Sequence, residues 1–104
     1  MSAVVPPGDQ PSLPRFAENL EGRFRVEAGR ETIVELTLIE VTALPSRGNP
    51  MRPQPFSIVF RGPFDRQLPQ RSYVFEHEKL GVFELFIVPI APDEYGPRYE
   101  AIFN

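Results

Sequence analysis

The chain contains no cysteine, no tryptophan and a single histidine. Without cysteine, disulfide bonds and thiolate metal sites are excluded. One histidine is too few for the histidine-rich ligand sets that hold catalytic zinc. The sequence therefore predicts no metal site, no cofactor and no catalytic residue.

Positive charge is sparse and scattered. There are 14 acidic and 11 basic residues, which gives a formal net charge of −3, and Lys79 is the only lysine. Nucleic-acid binding needs clustered lysine and arginine to neutralise phosphates, and no such cluster is present. We therefore expect no nucleic-acid partner.

Long apolar runs are also missing. The segment Leu85–Ile90 is far too short to span a bilayer, and Met1–Gln10 lacks the basic start and apolar run of a targeting segment. The absence of cysteine fits a reducing compartment. The interpretation is a cytoplasmic protein without membrane contact.

Proline and phenylalanine are abundant instead. The 104 residues include 13 prolines and nine phenylalanines, and 41% of the chain is apolar, which suits one domain with a modest core. Prolines cluster before residue 15 and between residues 45 and 55, where they predict irregular chain. We expect a Pro-rich mobile tail over residues 1–11 and a single β domain over residues 12–104.

Six segments have the composition and alternation of β-strands. They cover residues 23–28, 32–43, 56–62, 72–77, 82–89 and 98–103. Turn residues separate them, and no connection has room for the helix that parallel pairing requires. The predicted fold is all-β: a six-stranded antiparallel barrel or compact sandwich.

A short N-terminal helix precedes the strands. Ser12 is a suitable N-cap, Pro14 suits the first turn and Gly22 suits the C-terminal stop. Leu13, Phe16 and Leu20 would then share one apolar face. The segment forms a helix of two turns at most, or a 3₁₀ turn.

The second strand changes its apolar face halfway. Val34, Leu36 and Leu38 are apolar in its first half, whereas Ile39 and Val41 are apolar in its second. A strict period of two cannot bury both sets. A β-bulge or sharp bend near Leu38–Ile39 is therefore predicted.

The fifth strand is apolar on both faces. If Phe83, Leu85 and Ile87 point inward, then Phe86 and Val88 point outward, and Val74 of the fourth strand joins them. A strand that is apolar on both faces is usually covered on both. Either the segment Leu13–Leu20 or a second protein chain could supply the cover.

Four further residues are candidates for chemistry or binding. His77, which lies between two glutamates, could act as a base or contact a ligand. No partner motif accompanies it, so a strand-end histidine that packs on the core is the simpler interpretation. Arg61 could clamp an anion, although a solvated turn is the simpler interpretation. Phe64 and Tyr95 are aromatics in polar loops and are candidates for an interaction surface.

Four segments together resemble a known family. They are FSIVFRGP (56–63), LPQRSYVFEHE (68–78), LGVFELFIVP (80–89) and YEAIFN (99–104). They are similar to a family of short bacterial proteins that is defined only as an uncharacterised domain of this length. The resemblance implies no activity, so it assigns no residue a role.

The leading hypothesis is a non-enzymatic protein-interaction or assembly module. Its partner would be an unknown protein or a second copy of the chain. The alternative is a small-molecule binding β-barrel whose ligand enters beside His77 or Arg61.

Overall fold

A computed structural model describes residues 10–46, 48 and 53–104 of the chain. It contains one short helix and six strands in these residues: α1 Leu13–Ala17, β1 Arg23–Gly29, β2 Thr32–Ala43, β3 Phe56–Arg61, β4 Arg71–His77, β5 Gly81–Asp93 and β6 Gly96–Phe103. Most of the expected Pro-rich tail (residues 1–9) and residues 47 and 49–52 of the Pro-rich loop lie outside the described residues.

The strands close into an antiparallel barrel. Their order around it is β1-β2-β3-β6-β5-β4, and β4 pairs back onto β1. The predicted six-stranded antiparallel fold is confirmed, and it is the barrel rather than the sandwich. Closure matters because it removes the continuous free edges that an open sheet would expose.

Aromatic rings fill the barrel. Phe24, Phe60, Phe75 and Phe83 are all fully buried, and the Phe24–Phe60 and Phe60–Phe75 ring centroids lie 5.2 and 5.1 Å apart. Such edge-on and tilted arrangements are favourable beyond the apolar area they bury. The inward residues predicted for β4 and β5 are confirmed, since Tyr73, Phe75, Phe83, Leu85 and Ile87 are buried.

The short N-terminal helix is confirmed, but it does not reach two turns. α1 spans five residues and ends at the C-cap Glu18, whose backbone N–H still donates to the carbonyl of Pro14. Leu20 is 44% exposed, so its predicted place on the buried face is wrong. The chain turns at Glu21, which has a φ of 70°, so that its N–H can reach the carbonyl of Leu38. That turn into β1 prevents a second helical turn.

The predicted bulge is confirmed. Leu38 pairs with Phe60 and Glu40 with Val59, so Ile39 is an extra residue in β2. The bulge allows Leu38 to be buried and Val41, three residues later, to pack against the same core.

β5 continues beyond the predicted end at Pro89. It runs to Asp93, and Pro89 pairs with Tyr99 of β6. Pro92 and Pro97 both lie in strands, and the turn between them is Glu94–Tyr95. The register shifts between Ile90 and Asp93, so Pro92 sits in an irregular stretch where a missing N–H is tolerated.

Candidate interaction surface

β5 changes its pairing partner halfway along its length. Residues 81–87 pair with β4, whereas the pairing with β6 runs from Val88 to Asp93. The last residues of β6, Ala101–Phe103, pair with β3 on their other side. The two strands therefore diverge, and we call the gap between Gly81–Ile87 and Ala101–Phe103 the seam.

Phe16 of α1 lies behind the seam. Its ring centroid lies 5.8 Å from that of Phe83 on β5 and 5.6 Å from that of Phe103 on β6. Phe16 is fully buried and also contacts Phe24 and Phe56. The Phe16 side chain therefore fills the barrel interior directly behind the seam and contacts both of its strands.

A cleft of about 410 Å³ opens on the outer side of the seam. Phe86 of β5 and Ile102 of β6 line it, and they are 52% and 57% exposed. Val88 lines it as well and is half-buried. We call these three side chains the seam surface.

The polar groups of the cleft are acidic or neutral. Glu84 and Glu100 line it, together with Gln10 and Ser72. Among the described residues neither glutamate forms an ion pair. The Gln10 side-chain amide donates to the backbone carbonyl of Glu84, so one backbone acceptor of β5 faces the seam.

The helix does not cover this surface. No residue of Leu13–Ala17 lines the cleft, because α1 packs behind the seam through Phe16. Of the two covers that the sequence allows, the chain's own helix is therefore not the one used.

Only two of the five predicted surface residues come together. Phe86 and Val88 share the seam cleft, while Val74 lies in a shallow groove with Ile33 and Val82. Phe64 is exposed over a separate cleft of about 590 Å³, which lies between the β3–β4 loop and β5 and β6. Tyr95 is exposed on the β5–β6 turn.

Arg61 is engaged within the chain. Its Nε lies 3.1 Å from each carboxylate oxygen of Asp93, and its guanidinium carbon lies 5.2 Å from the Tyr95 ring centroid. The hydrogen bond from Arg61 lowers the pKa of Asp93 to about 2. The partner of Arg61 therefore comes from β5.

His77 lies at the end of β4 against the core. Its ring centroid is 4.5 Å from that of Phe24, and Nδ1 accepts the backbone N–H groups of Lys79 and Leu80 at 3.1 and 3.2 Å. Burial lowers the pKa of His77. The neutral His77 ring thus stabilises the β4–β5 turn, because its Nδ1 accepts two backbone N–H groups of that turn.

The site residues proposed from the sequence omit the polar residues of the cleft, which are Gln10, Ser72, Glu84 and Glu100. The alternation of β6 does place Glu100 and Ile102 outward, opposite to Tyr99 and Ala101. Their meeting with β5 depends on the barrel register, which no local pattern contains.

With the fold and the seam described, the chain can be compared with known proteins. The model of the domain of unknown function DUF6916 matches residues 11–103, so the chain belongs to that family. Neither the curated proteins nor the solved structures yield a match. None of the helices in the described residues is long and apolar enough to cross a membrane.

Proposed function

We propose that this protein is a non-enzymatic protein-interaction module and that the seam surface is where its partner binds. The observation that carries the proposal is the exposure of Phe86 and Ile102 over one cleft that the chain's own helix leaves open. Burying a large apolar side chain contributes about 1.5–3 kcal/mol. Each of these residues leaves roughly half of that contribution available to a partner.

The partner is a different protein rather than a second copy. In a two-fold dimer the same patch meets itself, so Glu84 and Glu100 of both copies would be brought together. Like charges across an interface oppose binding. A partner that carries lysine or arginine beside an apolar side chain complements this surface.

The alternative of a small-molecule barrel receives no such support. The interior is occupied by contacting phenylalanine rings, of which Phe75 and Phe83 stack at 6.0 Å. A barrel of this size has an interior just wide enough for its own side chains. The two residues expected at its entrance are engaged, His77 with the β4–β5 turn and Arg61 with Asp93.

We place this interaction in the bacterial cytoplasm. The absence of cysteine fits a reducing compartment, and the chain resembles short bacterial proteins along most of its length. Fractionation of cells that express a tagged chain tests this, and recovery with periplasmic or membrane markers would contradict it.

Affinity capture from lysate of the native host tests the proposed function. Phe86→Asp places a charge in the seam surface, while Phe64→Asp makes the same change at an exposed phenylalanine of another cleft. We expect a partner that the wild type and Phe64→Asp retain and Phe86→Asp loses. The same partners in all three samples, or none in any, would show that the seam surface is not the binding site.

A further inference from the structure

We propose that the seam accepts an extended strand of the partner protein, which adds to the free edges of β5 and β6. This inference rests on the proposed function and specifies the form of the partner. β-Strand addition uses backbone hydrogen bonds for affinity and alternate side chains for specificity. The seam provides both kinds of contact.

The backbone contacts come from the edge of β5. Between Gly81 and Ile87 this strand pairs with β4 on one side, and no strand of the described chain pairs with its other side. The Glu84 carbonyl points to that free side, since Gln10 binds it there. Backbone groups alternate along a strand, so those of Val82 and Phe86 share the same edge. Three successive donor and acceptor positions therefore face the seam.

β6 supplies a second, shorter edge. Ala101–Phe103 pair with β3 through Phe56–Ile58, and their other side faces the cleft across from β5. An unpaired strand edge is a template for pairing with another chain. In a closed barrel such edges persist only where two strands diverge, as β5 and β6 do here below the Val88–Glu100 pair.

Gln10 shows which chemistry the edge accepts. Its side chain brings an amide N–H to the Glu84 carbonyl, which is the group that a backbone amide of an incoming strand would present. Gln10 lies on the irregular stretch before α1 and is not part of a β-strand. A partner strand would therefore displace it and continue the hydrogen bonding along β5.

The side chains of the cleft define the sequence of that strand. Outward positions on β5 are Glu84, Phe86 and Val88, and on β6 they are Glu100 and Ile102. A strand between them presents an apolar side chain to Phe86 and Ile102, and a lysine or arginine to Glu84 or Glu100. We therefore infer that the recognised segment is a short extended peptide that combines apolar and basic residues.

Selection of random octapeptides displayed on phage, against the immobilised full-length chain, provides the probe. We expect enriched peptides to alternate apolar and basic residues, and Phe86→Asp to abolish their binding while Phe64→Asp does not. N-methylation of every second backbone amide of the peptide removes those N–H donors but keeps the side chains. The methyl groups can occupy either the odd or the even positions, and we expect one of these two phases to weaken binding at least tenfold. The chosen peptides should shift the amide resonances of Glu84, Phe86 and Ile102.

Gln10→Ala should increase the affinity for the peptide rather than reduce it. Removing the competing amide should tighten peptide binding about two- to fivefold, because one hydrogen bond of net worth near 1 kcal/mol no longer has to be broken. Unchanged or weaker binding by this variant would contradict displacement of Gln10.

The outcomes separate this inference from the proposed function. Peptides that depend on Phe86 but bind equally well after N-methylation in either phase would leave the surface in place and overturn strand addition. Selection without enrichment, beside a captured partner that Phe86→Asp loses, would mean that the partner docks a folded surface and would also overturn it. Binding that ignores Phe86 in both experiments would overturn the inference and the proposed function together.

Discussion

Arg61 on β3 and Asp93 at the end of β5 form a bidentate ion pair, although neither strand is paired with the other in the barrel. β6 lies between their strands, and the pair reaches across the end of that strand beside the Glu94–Tyr95 turn. Asp93 Oδ1 also accepts the backbone N–H of Tyr95 at 2.9 Å. One carboxylate thus fixes both the turn and its attachment to β3.

This pair predicts a specific loss of stability in acid. Because Arg61 lowers the pKa of Asp93 from 3.8 to about 2, the unfolded chain takes up this proton first as the pH falls. The contribution of the pair to stability is complete above about pH 4 and is lost between there and pH 2. Urea unfolding at a series of pH values should show a shallower acid dependence for Asp93→Asn than for the wild type. Glu94→Gln, one residue further on, serves as control and should keep the wild-type slope.

His77 predicts a second loss of stability on acidification, in a higher pH range. Since burial lowers its pKa from 6.5, the folded protein binds this proton less readily than the unfolded chain. The stability it contributes is complete above pH 6.5 and falls as the pH drops below that value. NMR titration should give a pKa below 6.5 and a neutral ring with its proton on Nε2, since Nδ1 accepts from Lys79 and Leu80. A proton on Nδ1 or a pKa above 6.5 would contradict this.

Much of the barrel could be predicted from the sequence because local alternation records which side of a strand faces the core. The change of face at Leu38–Ile39 even located the bulge, since no regular strand could bury both apolar sets. The outward positions of Phe86 and Val88 followed from the same alternation.

The remaining features depend on contacts that are distant in sequence. Arg61 and Asp93 are 32 residues apart, so no local pattern pairs them. Behind the seam one ring, Phe16, packs on both Phe83 and Phe103. Periodicity shows that these three residues point inward, but it does not show that they meet.

Phe16 should be among the most sensitive positions of the core. Phe16→Ala removes a fully buried ring that contacts four other phenylalanines, so we expect a loss of about 3–5 kcal/mol in the free energy of unfolding. Leu20→Ala, four residues later on the exposed turn, should cost less than about 0.5 kcal/mol. Denaturant unfolding measures both. Similar losses for the two variants would contradict the short helix and restore the predicted two-turn helix.

Removal of the Tyr99 hydroxyl should lower the stability of the protein. Its oxygen accepts the buried backbone N–H of Leu68 at 3.0 Å, so Tyr99→Phe leaves that donor without a partner. An unsatisfied buried N–H costs about 1–3 kcal/mol, whereas a hydrogen bond whose partner can turn to water costs about 1 kcal/mol or less. Tyr73→Phe is the matched control, because its hydroxyl donates to the partly buried carbonyl of Pro69. We expect Tyr99→Phe to be the more destabilising of the two and to speed hydrogen exchange at the Leu68 amide. If the two variants were equally stable and Leu68 stayed protected, the β3–β4 loop would be held by its apolar contacts alone.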